Sequence, residues 1–160
     1  MGRALVPRGG SDLVNTPDWL AEAVVCHFRP WGRVLEPCMG GGAFTGALER
    51  FGVDKVRWCE ITLGLDFFEL DDKQHFDWVV TNPLWSQLRE FLRKSTEVAD
   101  NVVFLCLISA FFMKARLRIL DNTGFGLAEI LRWPRTGFEL GTVHAKRGYR
   151  GKTILSRIYF

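Results

Sequence analysis

The sequence predicts an α/β protein with a mostly parallel, doubly wound sheet that ends in an antiparallel C-terminal hairpin. Helical and strand patterns alternate from residue 17 to about residue 120, as in parallel strands joined by right-handed helical crossovers. Strand patterns then follow one another to the C-terminus. The run 102–108 is continuously apolar, which is typical of a central strand covered on both faces.

The first half of the chain contains two predicted helices and two predicted strands. A helix over residues 17–28 has Thr16 as its expected N-cap and Pro17 at its first helical position. Residues 43–51 repeat apolar side chains at helical spacing, and a glycine follows them as a C-terminal stop. Strands are expected over residues 33–36 and 55–60.

The second half is predicted to contain more strands than helices. Ser86 is the expected N-cap of a helix that runs to about residue 99, and one helix is expected over residues 109–120. The strands 140–145 and 153–160 are joined by a short basic loop, and we expect them to form the closing hairpin. Further strands are predicted over residues 76–81, 102–108 and 125–133.

Length and composition fit one globular domain and do not fit a disordered chain. The chain has 160 residues, 48% of them apolar, and 21 Lys plus Arg against 18 Asp plus Glu, a net charge of +3. The segment Leu5-Val6-Pro7-Arg8-Gly9 resembles an engineered thrombin-cleavage linker. We therefore expect residues 1–11 to be a tag and residues 12–160 to form a single domain. Without Arg3 and Arg8, 19 basic residues face 18 acidic ones, and a net charge of +1 is no argument for nucleic acid.

Membrane, secretory and metal-binding classes are not indicated. No stretch approaches the roughly 18 apolar residues that span a bilayer, and no secretory signal is visible, so a cytoplasmic protein without membrane contact is expected. The three histidines do not cluster with cysteines or acids, so no metal site is predicted. The four cysteines form no Cys-x-x-Cys pair and are expected to be buried free thiols: Cys26, Cys38, Cys59 and Cys106.

The segment 36–44 has the features of a ligand-binding turn. A strand places Glu36 at its C-terminal tip, three glycines follow, and a helix begins at Ala43. Glycine has no Cβ, so a ligand can lie against the backbone there. The spacing is neither Gly-x-Gly-x-x-Gly nor a phosphate loop, and Glu36 would repel phosphate but attract an amino group or a sulfonium. An ordinary glycine-rich turn without a ligand remains the alternative.

Two acids lie at the end of the predicted strand 55–60 and shortly after it. Glu60 ends that strand, where a carboxylate can accept hydrogen bonds from ribose hydroxyls. Asp66 could accept a hydrogen bond from the exocyclic amine of an adenine, with Phe67 packed on the ring. The alternatives are a solvated carboxylate and a pair of core phenylalanines.

The run Asn82-Pro83-Leu84-Trp85 comes directly after the strand 76–81. A residue before proline favours an extended backbone, which lets the Asn82 side-chain oxygen and the Pro83 carbonyl converge on one pair of donors. Two acceptors beside an aromatic side chain suit a flat heterocycle that carries an NH2 group. A simple turn with a half-buried tryptophan is the alternative.

Together these motifs resemble the motif series of class I S-adenosylmethionine-dependent methyltransferases. The subgroup that they resemble most is the amino-methylating one with the Asn-Pro-Pro-Tyr/Phe/Trp signature, chiefly N6-adenine DNA methyltransferases. The segment Asn15-Thr16-Pro17 is similar to the N-terminal motif of that family, which touches the methionine end of the cofactor. The resemblance implies a Rossmann-like methyltransferase fold, S-adenosylmethionine as cofactor and a nucleic-acid partner, DNA in preference to RNA.

The resemblance also implies roles for individual residues. Asn82, Pro83 and Trp85 would be catalytic, and Leu84 and Trp85 would contact the substrate. The cofactor would be bound by Thr16, Pro17, Glu36, Pro37, Cys38, Gly40, Gly42, Phe44, Glu60, Ile61, Asp66, Phe67 and Asn82.

The sequence departs from the family pattern in three respects. Leu84 stands where the family has a second proline. Five residues separate Glu60 from Asp66, which leaves no room for a helix and a third strand, so that edge of the sheet is expected to be reduced. No target-recognition domain follows the last strands, so a specificity subunit or a homodimer is left open as the source of target selection.

Basic side chains offer a candidate surface for a phosphate backbone. Lys146, Arg147, Arg150 and Lys152 lie in one seven-residue loop with an aromatic residue, and we predict that they bind the substrate, with a solvated hairpin tip as the alternative. Binding of a phosphate backbone by this loop is also favoured by nearby residues, Arg132, Trp133 and Arg135. The solvated face of a helix is expected to include Lys114, Arg116 and Arg118.

Other functions also remain open at this point. They are methylation of adenine in RNA, methylation of a protein glutamine amide, and a non-catalytic subunit that binds nucleic acid with the same fold.

Overall fold

Seven strands and five α-helices form the part of the chain that the computed structural model describes, residues 15–133 and 139–158. The strands are β1 (Arg33–Glu36), β2 (Lys55–Trp58), β3 (Phe76–Thr81), β4 (Ala99–Leu107), β5 (Phe125–Arg132), β6 (Leu140–Arg147) and β7 (Ile154–Arg157). The helices are α1 (Asp18–Phe28), α2 (Ala43–Arg50), α3 (Leu88–Val98), α4 (Ile108–Phe111) and α5 (Lys114–Thr123). The expected tag 1–11, Arg135 and residues 159–160 lie outside the described residues.

The strands form one sheet in the order β2-β1-β3-β4-β6-β5-β7. The first four of these are parallel to one another. Strand β6 lies antiparallel between β4 and β5, and β7 is parallel to β5. The predicted α/β fold with a mostly parallel sheet and an antiparallel hairpin is therefore confirmed.

The hairpin is made by a different pair of strands from the one that the sequence suggested. We predicted that 140–145 would pair with 153–160, but β6 pairs with β5, and β7 pairs with the far side of β5. The connection crosses β5 at Gly126, where a Cβ atom would lie 2.1 Å from the carbonyl oxygen of Tyr149. The lack of a side chain at Gly126 thus lets the chain pass over β5 and add a strand beyond it.

The sheet has a helical layer and an apolar core on each face. Helices α1 and α2 contribute to one core, and α3 and α5 to the other. Strand β4 alternates between the two, because Val102, Phe104 and Cys106 belong to one core and Val103 and Leu105 to the other. This burial on both sides confirms the prediction of a central strand over 102–108.

Several element ends differ from the sequence-based expectation. Pro17, not Thr16, precedes α1, and no side chain caps that helix. A 3₁₀ turn at Trp85–Gln87 comes before α3, so Ser86 is not its cap. The single helix expected over 109–120 is broken into α4 and α5.

The break after α4 has a local cause. The buried Phe111 anchors α4 in the core, and Met113 takes an extended backbone with ψ 136°. The guanidinium of Arg116 donates a hydrogen bond of 2.6 Å to the carbonyl of Ala110, which satisfies an acceptor at the interrupted turn.

The β2 edge of the sheet is reduced, as predicted. Between β2 and β3 the described chain forms two short 3₁₀ helices, Ile61–Leu63 and Phe67–Glu69, and an isolated bridge between Glu60 and Leu65. Strand β2 is therefore an edge strand within the described part of the protein.

The cysteines are all free but not all buried. Cys59 and Cys106 are buried and Cys38 is half-buried, whereas Cys26 is exposed near the end of α1. The expectation of burial was wrong for Cys26 because the inward stripe of that helix is formed by other residues, Leu20, Ala21, Val24 and Val25.

Candidate functional site

The predicted motifs meet at the C-terminal ends of the parallel strands. Glu36 ends β1, Asn82 directly follows β3, and the two strands are neighbours in the sheet. A cavity of about 290 Å³ opens there. Nine of the predicted catalytic, cofactor-binding and substrate-binding residues line it: Thr16, Glu36, Cys38, Gly40, Phe44, Asn82, Pro83, Leu84 and Trp85.

The glycine-rich turn is fastened to the end of β2. The backbone N–H of Gly40 donates to a carboxylate oxygen of Glu60 over 2.8 Å, and the N–H of Met39 donates to the carbonyl of Cys59 over 3.0 Å. Gly40 and Gly42 have positive φ angles, 53° and 81°, which favour glycine, and Gly42 directly precedes α2. The turn is thus held open at the cavity by the acid that was predicted to bind ribose.

Glu36 is buried beside this turn. It is 1% exposed, and the hydroxyl of Thr45 donates a hydrogen bond to its carboxyl group. Burial raises the pKa of Glu36 to about 8, despite the opposing hydrogen bonds from Thr45. The carboxyl group is therefore neutral at neutral pH, and a bound cation would favour its ionised form.

Glu60 has a different environment. Its carboxylate also accepts hydrogen bonds from the N–H and the hydroxyl of Thr62, over 3.1 Å and 2.8 Å. Burial by itself would raise its pKa, but the hydrogen bonds from Thr62 and Gly40 hold the pKa of Glu60 below its usual value. Glu60 is thus an anion, and Glu36 next to it is not.

A second, smaller cavity lies on the other side of Leu84 and Cys38, which line both cavities. Its wall includes Glu60, Ile61 and Asp66, as predicted for a nucleoside site. It is a partly open cavity of about 50 Å³.

The aromatic residues of this cavity differ from the prediction. Phe67 is 2% exposed, and its ring stacks on Phe91 with a centroid distance of 5.5 Å. The half-buried Phe68 and Gln87 also line the cavity, and sequence reasoning missed them together with Phe91. The spacing of four between 87 and 91 on a predicted helix was the signal that could have found those two.

Asn82 is oriented by the N-terminal segment. Its amide nitrogen Nδ2 donates to the hydroxyl oxygen of Thr16 over 3.2 Å, which makes Oδ1 the acceptor end of the amide. Pro83 is buried, and Trp85 is half-buried at the start of the 3₁₀ turn. The cavity therefore combines an oriented amide acceptor with an aromatic ring.

The fold is shared with solved structures of low sequence identity. One from Listeria monocytogenes, assigned as a class I S-adenosylmethionine-dependent methyltransferase, matches with a TM-score of 0.73 at 11% identity over 94% of this chain and 68% of its own. Magnesium protoporphyrin IX methyltransferase from Synechocystis, solved with S-adenosylmethionine bound, matches with a TM-score of 0.66 at 14% identity over 81% of this chain and 79% of its own. A Pyrococcus horikoshii protein assigned as an RNA methyltransferase matches with a TM-score of 0.56 at 19% identity, over 81% of this chain and 80% of its own.

The chain has the class I methyltransferase fold. No family model matches it, and no curated protein matches it in sequence.

In this methyltransferase fold, β4 extends beyond the end of its neighbour β3. Thr81 at the end of β3 is opposite Phe104, and β4 continues for three more residues, about 10 Å further. The chain then turns through α4 to Phe112 and Met113, which are 41% and 59% exposed. These apolar side chains at the same edge as Asn82 were not predicted from the sequence.

The basic loop 146–152 lies at the opposite edge of the sheet. Lys146 is opposite Asn101 near the start of β4, whereas Asn82 lies beyond the end of β3. The exposed side chains of Arg150 and Lys152 follow at that far edge. The structure thus does not bring these predicted substrate ligands to the cavity.

Arg147 has a structural role in that loop. Its guanidinium bonds the carboxylate of Asp100 over 2.9 Å and the backbone carbonyls of Thr96 and Ala99 over 2.7 and 2.9 Å. It also lies over the ring of Phe125 at 4.7 Å. These contacts tie the strands and helix ends around Arg147 together.

Among residues 15–133 and 139–158, no group of three or more His, Cys, Asp or Glu is arranged to hold a metal ion. None of the helices in this part of the chain has the length and apolar character needed to cross a membrane.

Proposed function

We propose that this protein transfers a methyl group from S-adenosylmethionine to an exocyclic amino group, and that the substrate is N6 of adenine in DNA. The observation that carries the proposal is the Asn82–Thr16 hydrogen bond, which presents an amide acceptor in the same cavity as the glycine-rich turn. Solved structures of the same fold hold S-adenosylmethionine or S-adenosylhomocysteine.

The residues at the cavity fit S-adenosylmethionine. A buried carboxyl at Glu36 suits the cationic methionine end, and the ionised Glu60 suits ribose hydroxyls. Asp66 lies in the adjoining smaller cavity, where an adenine amine could donate to it. When bound, S-adenosylmethionine supplies a methyl group on a positively charged sulfur.

The acceptors at Asn82 and Pro83 would increase the nucleophilicity of an aromatic amine, which by itself is weak. The nitrogen lone pair of adenine is delocalised into the ring, so it attacks poorly unless the amine becomes pyramidal. Acceptance of the two N–H bonds by Asn82 Oδ1 and the Pro83 carbonyl would favour that geometry and stabilise the positive charge that develops on nitrogen. The proton leaves to solvent after transfer, so no strong base is required at the start.

Positioning provides the rest of the rate enhancement. The attacking nitrogen must approach the methyl carbon within about 3–3.5 Å and in line. Stacking on Trp85 would hold the base there and contribute about 1–3 kcal/mol, as at other base-stacking sites. A target in a duplex would have to be flipped out of the helix to reach this cavity.

The test is transfer of tritiated methyl from S-adenosylmethionine to DNA, RNA and protein substrates offered separately. We expect label in DNA, recovered as N6-methyladenine, and loss of the label with the Asn82→Ala variant. Label in protein with none in nucleic acid would contradict the proposed substrate. A complete lack of S-adenosylmethionine binding in calorimetry would contradict the proposed activity.

A further inference from the structure

A lysine is buried on helix α3. Lys94 is 8% exposed, although lysine side chains are almost never buried unless the ammonium group is paired. Its ammonium donates a hydrogen bond of 2.8 Å to the carbonyl oxygen of Leu70 and another to the carboxylate of Asp72. The Asp72 side chain is 71% exposed, so it is the ammonium group, and not the carboxylate, that is withdrawn from water.

The segment 66–72, which Lys94 holds, forms part of the wall of the smaller cavity. Asp66 and Phe67 line that cavity, and Leu70 directly follows the 3₁₀ helix Phe67–Glu69. The N–H of Phe68 donates to the carboxylate of Asp66 over 2.9 Å, and the N–H of Leu70 donates to the carbonyl of Phe67 over 3.1 Å. Because these bonds connect Asp66 with Leu70, a shift of Leu70 would also displace the Asp66 carboxylate.

Helix α3 contacts the same segment at a second place. Phe91 lies one turn before Lys94 on the same face of the helix. Its ring stacks on Phe67 with a centroid distance of 5.5 Å and meets Phe68 edge-on at 5.0 Å. Aromatic pairs are favourable over a range of offsets, whereas hydrogen bonds fix both distance and direction. The bonds of Lys94 therefore set the position of the segment 66–72 along α3.

Packing alone does not account for a lysine at this position. Withdrawal of an ammonium group from water costs free energy that is recovered only when the charge is well paired. A methionine at position 94 would fill a similar volume without that cost, but it would leave the carbonyl of the buried Leu70 without this donor. The lysine at this position thus favours a positional role.

We propose that Lys94 positions Asp66 for the exocyclic amine of the cofactor's adenine by fixing the segment 66–72 against α3. The inference rests on the role of Asp66 in the proposed function. Lys94 is not one of the described residues that line the two cavities, so it acts through Leu70 and is a positioning residue. It determines the direction of the Asp66 carboxylate and makes no contact with the reacting atoms.

Recognition of the adenine amine tests the assignment. Calorimetry would compare S-adenosylhomocysteine with S-inosylhomocysteine, which carries a carbonyl oxygen in place of that amine and cannot donate to Asp66. A hydrogen bond to a carboxylate corresponds to about 10-fold in affinity, so the unchanged protein should prefer the adenosyl ligand by a similar factor. In Lys94→Met the preference should fall to about 3-fold or less, because Asp66 is no longer held in one direction. An equal loss of affinity for both ligands would show general damage to the cavity and overturn the assignment.

Two further variants make the result independent of whether Lys94→Met folds. Asp72→Ala removes one partner of the ammonium at an exposed position and should lower the preference by about 2-fold. Lys73→Met removes a positive charge from an exposed position of the same segment and should keep the full preference. An unchanged preference in Asp72→Ala, or an equal reduction in Lys73→Met, would overturn the assignment.

The variant Asp66→Ala separates this inference from the proposed function, because it should lose the preference entirely. If it does so while Lys94→Met and Asp72→Ala keep the preference, the role of Lys94 is wrong and the proposed function stands. If the unchanged protein binds both ligands equally, the role of Asp66 and the assignment of Lys94 are both wrong. Methyl transfer to DNA is measured separately, so its failure would contradict the proposed substrate without changing the result for Lys94.

Discussion

The amide nitrogen of Asn82 donates to the hydroxyl oxygen of Thr16 over 3.2 Å, across 66 positions of the sequence. Thr16 directly precedes Pro17 at the start of α1, and Asn82 directly follows β3. The bond therefore couples the N-terminal segment to the proposed catalytic amide, and it decides which end of that amide accepts.

Loss of the Thr16 hydroxyl should impair methyl transfer more than cofactor binding. In Thr16→Val the Asn82 amide loses a hydrogen bond worth about 1 kcal/mol, which corresponds to a rate decrease of about 5-fold or more. Steady-state kinetics with labelled S-adenosylmethionine would measure kcat. Thr16→Ser keeps the hydroxyl and should stay close to the unchanged protein, and equal loss in both variants would contradict this role.

Cofactor binding should release a proton from Glu36. The pKa of Glu36 is about 8 in the free protein, and a cationic ligand favours the carboxylate. The affinity for S-adenosylmethionine should therefore rise with pH up to about 8, because less free energy is spent on deprotonation. Calorimetry at pH 7 in buffers of different ionisation enthalpy would detect the released proton. In the Glu36→Gln variant, only protons from other groups, such as those of the ligand, can be released. An unchanged proton release in that variant would therefore show that Glu36 is not the source.

The same carboxyl group should make folding stability fall as pH rises. The pKa of Glu36 rises from its ordinary value of 4.5 to about 8 when the protein is folded, so between these values the folded state holds a proton that the unfolded state has lost. Its contribution is fully present below pH 4.5 and declines as pH rises through 8. Urea denaturation across this range would show the decline, and Glu36→Gln should remove it. A decline of the same size in Glu36→Gln would assign the effect to another group.

Gly126 should be intolerant of a side chain. A Cβ atom there would lie 2.1 Å from the backbone oxygen of Tyr149, so Gly126→Ala must displace the crossing to β7. We expect a loss of about 1–3 kcal/mol in the free energy of unfolding, as for overpacking. Gly46 within α2 is the matched control, because its added Cβ would meet only the flexible end of Arg50 at 3.2 Å. Gly46→Ala should be neutral or slightly stabilising, and equal losses in the two variants would contradict the crossing.

Thiol labelling should distinguish the four cysteines. Cys26 is exposed, whereas burial raises the pKa of Cys38 and Cys106 to about 12. One thiol of the native protein should react quickly with an aromatic disulfide, and Cys26→Ser should remove that phase. Slow labelling of Cys38 should become slower still with S-adenosylmethionine, since Cys38 lines the larger cavity. A fast phase that persists in Cys26→Ser would show that another thiol is accessible.

Local sequence patterns were sufficient for the elements and for most of the site. The glycines after Glu36 require a turn with positive φ, and Asn82-Pro83 requires an extended step after its strand, so these motifs are specified by residues close in the chain. Because they follow parallel strands, their meeting at one edge follows from the fold class. Sequence patterns did not specify the residue at which each helix begins, because the N-caps predicted at Thr16 and Ser86 were both wrong.

Strand pairing and side-chain burial depend on residues that are distant in the chain, and here the sequence pattern was not sufficient. The alternation of apolar and polar residues over 153–160 predicts a strand but does not identify β5 as its partner. That pairing depends on the close passage of the chain at Gly126. A basic loop is visible in the sequence, but its place at the far edge follows from the antiparallel direction of β6. The neutral state of Glu36 likewise comes from the layers packed around β1 and not from its neighbours in the chain. The local backbone and the chemical groups of the site thus follow from residues that are neighbours in the chain, whereas strand pairing and desolvation are set by contacts between residues far apart in it.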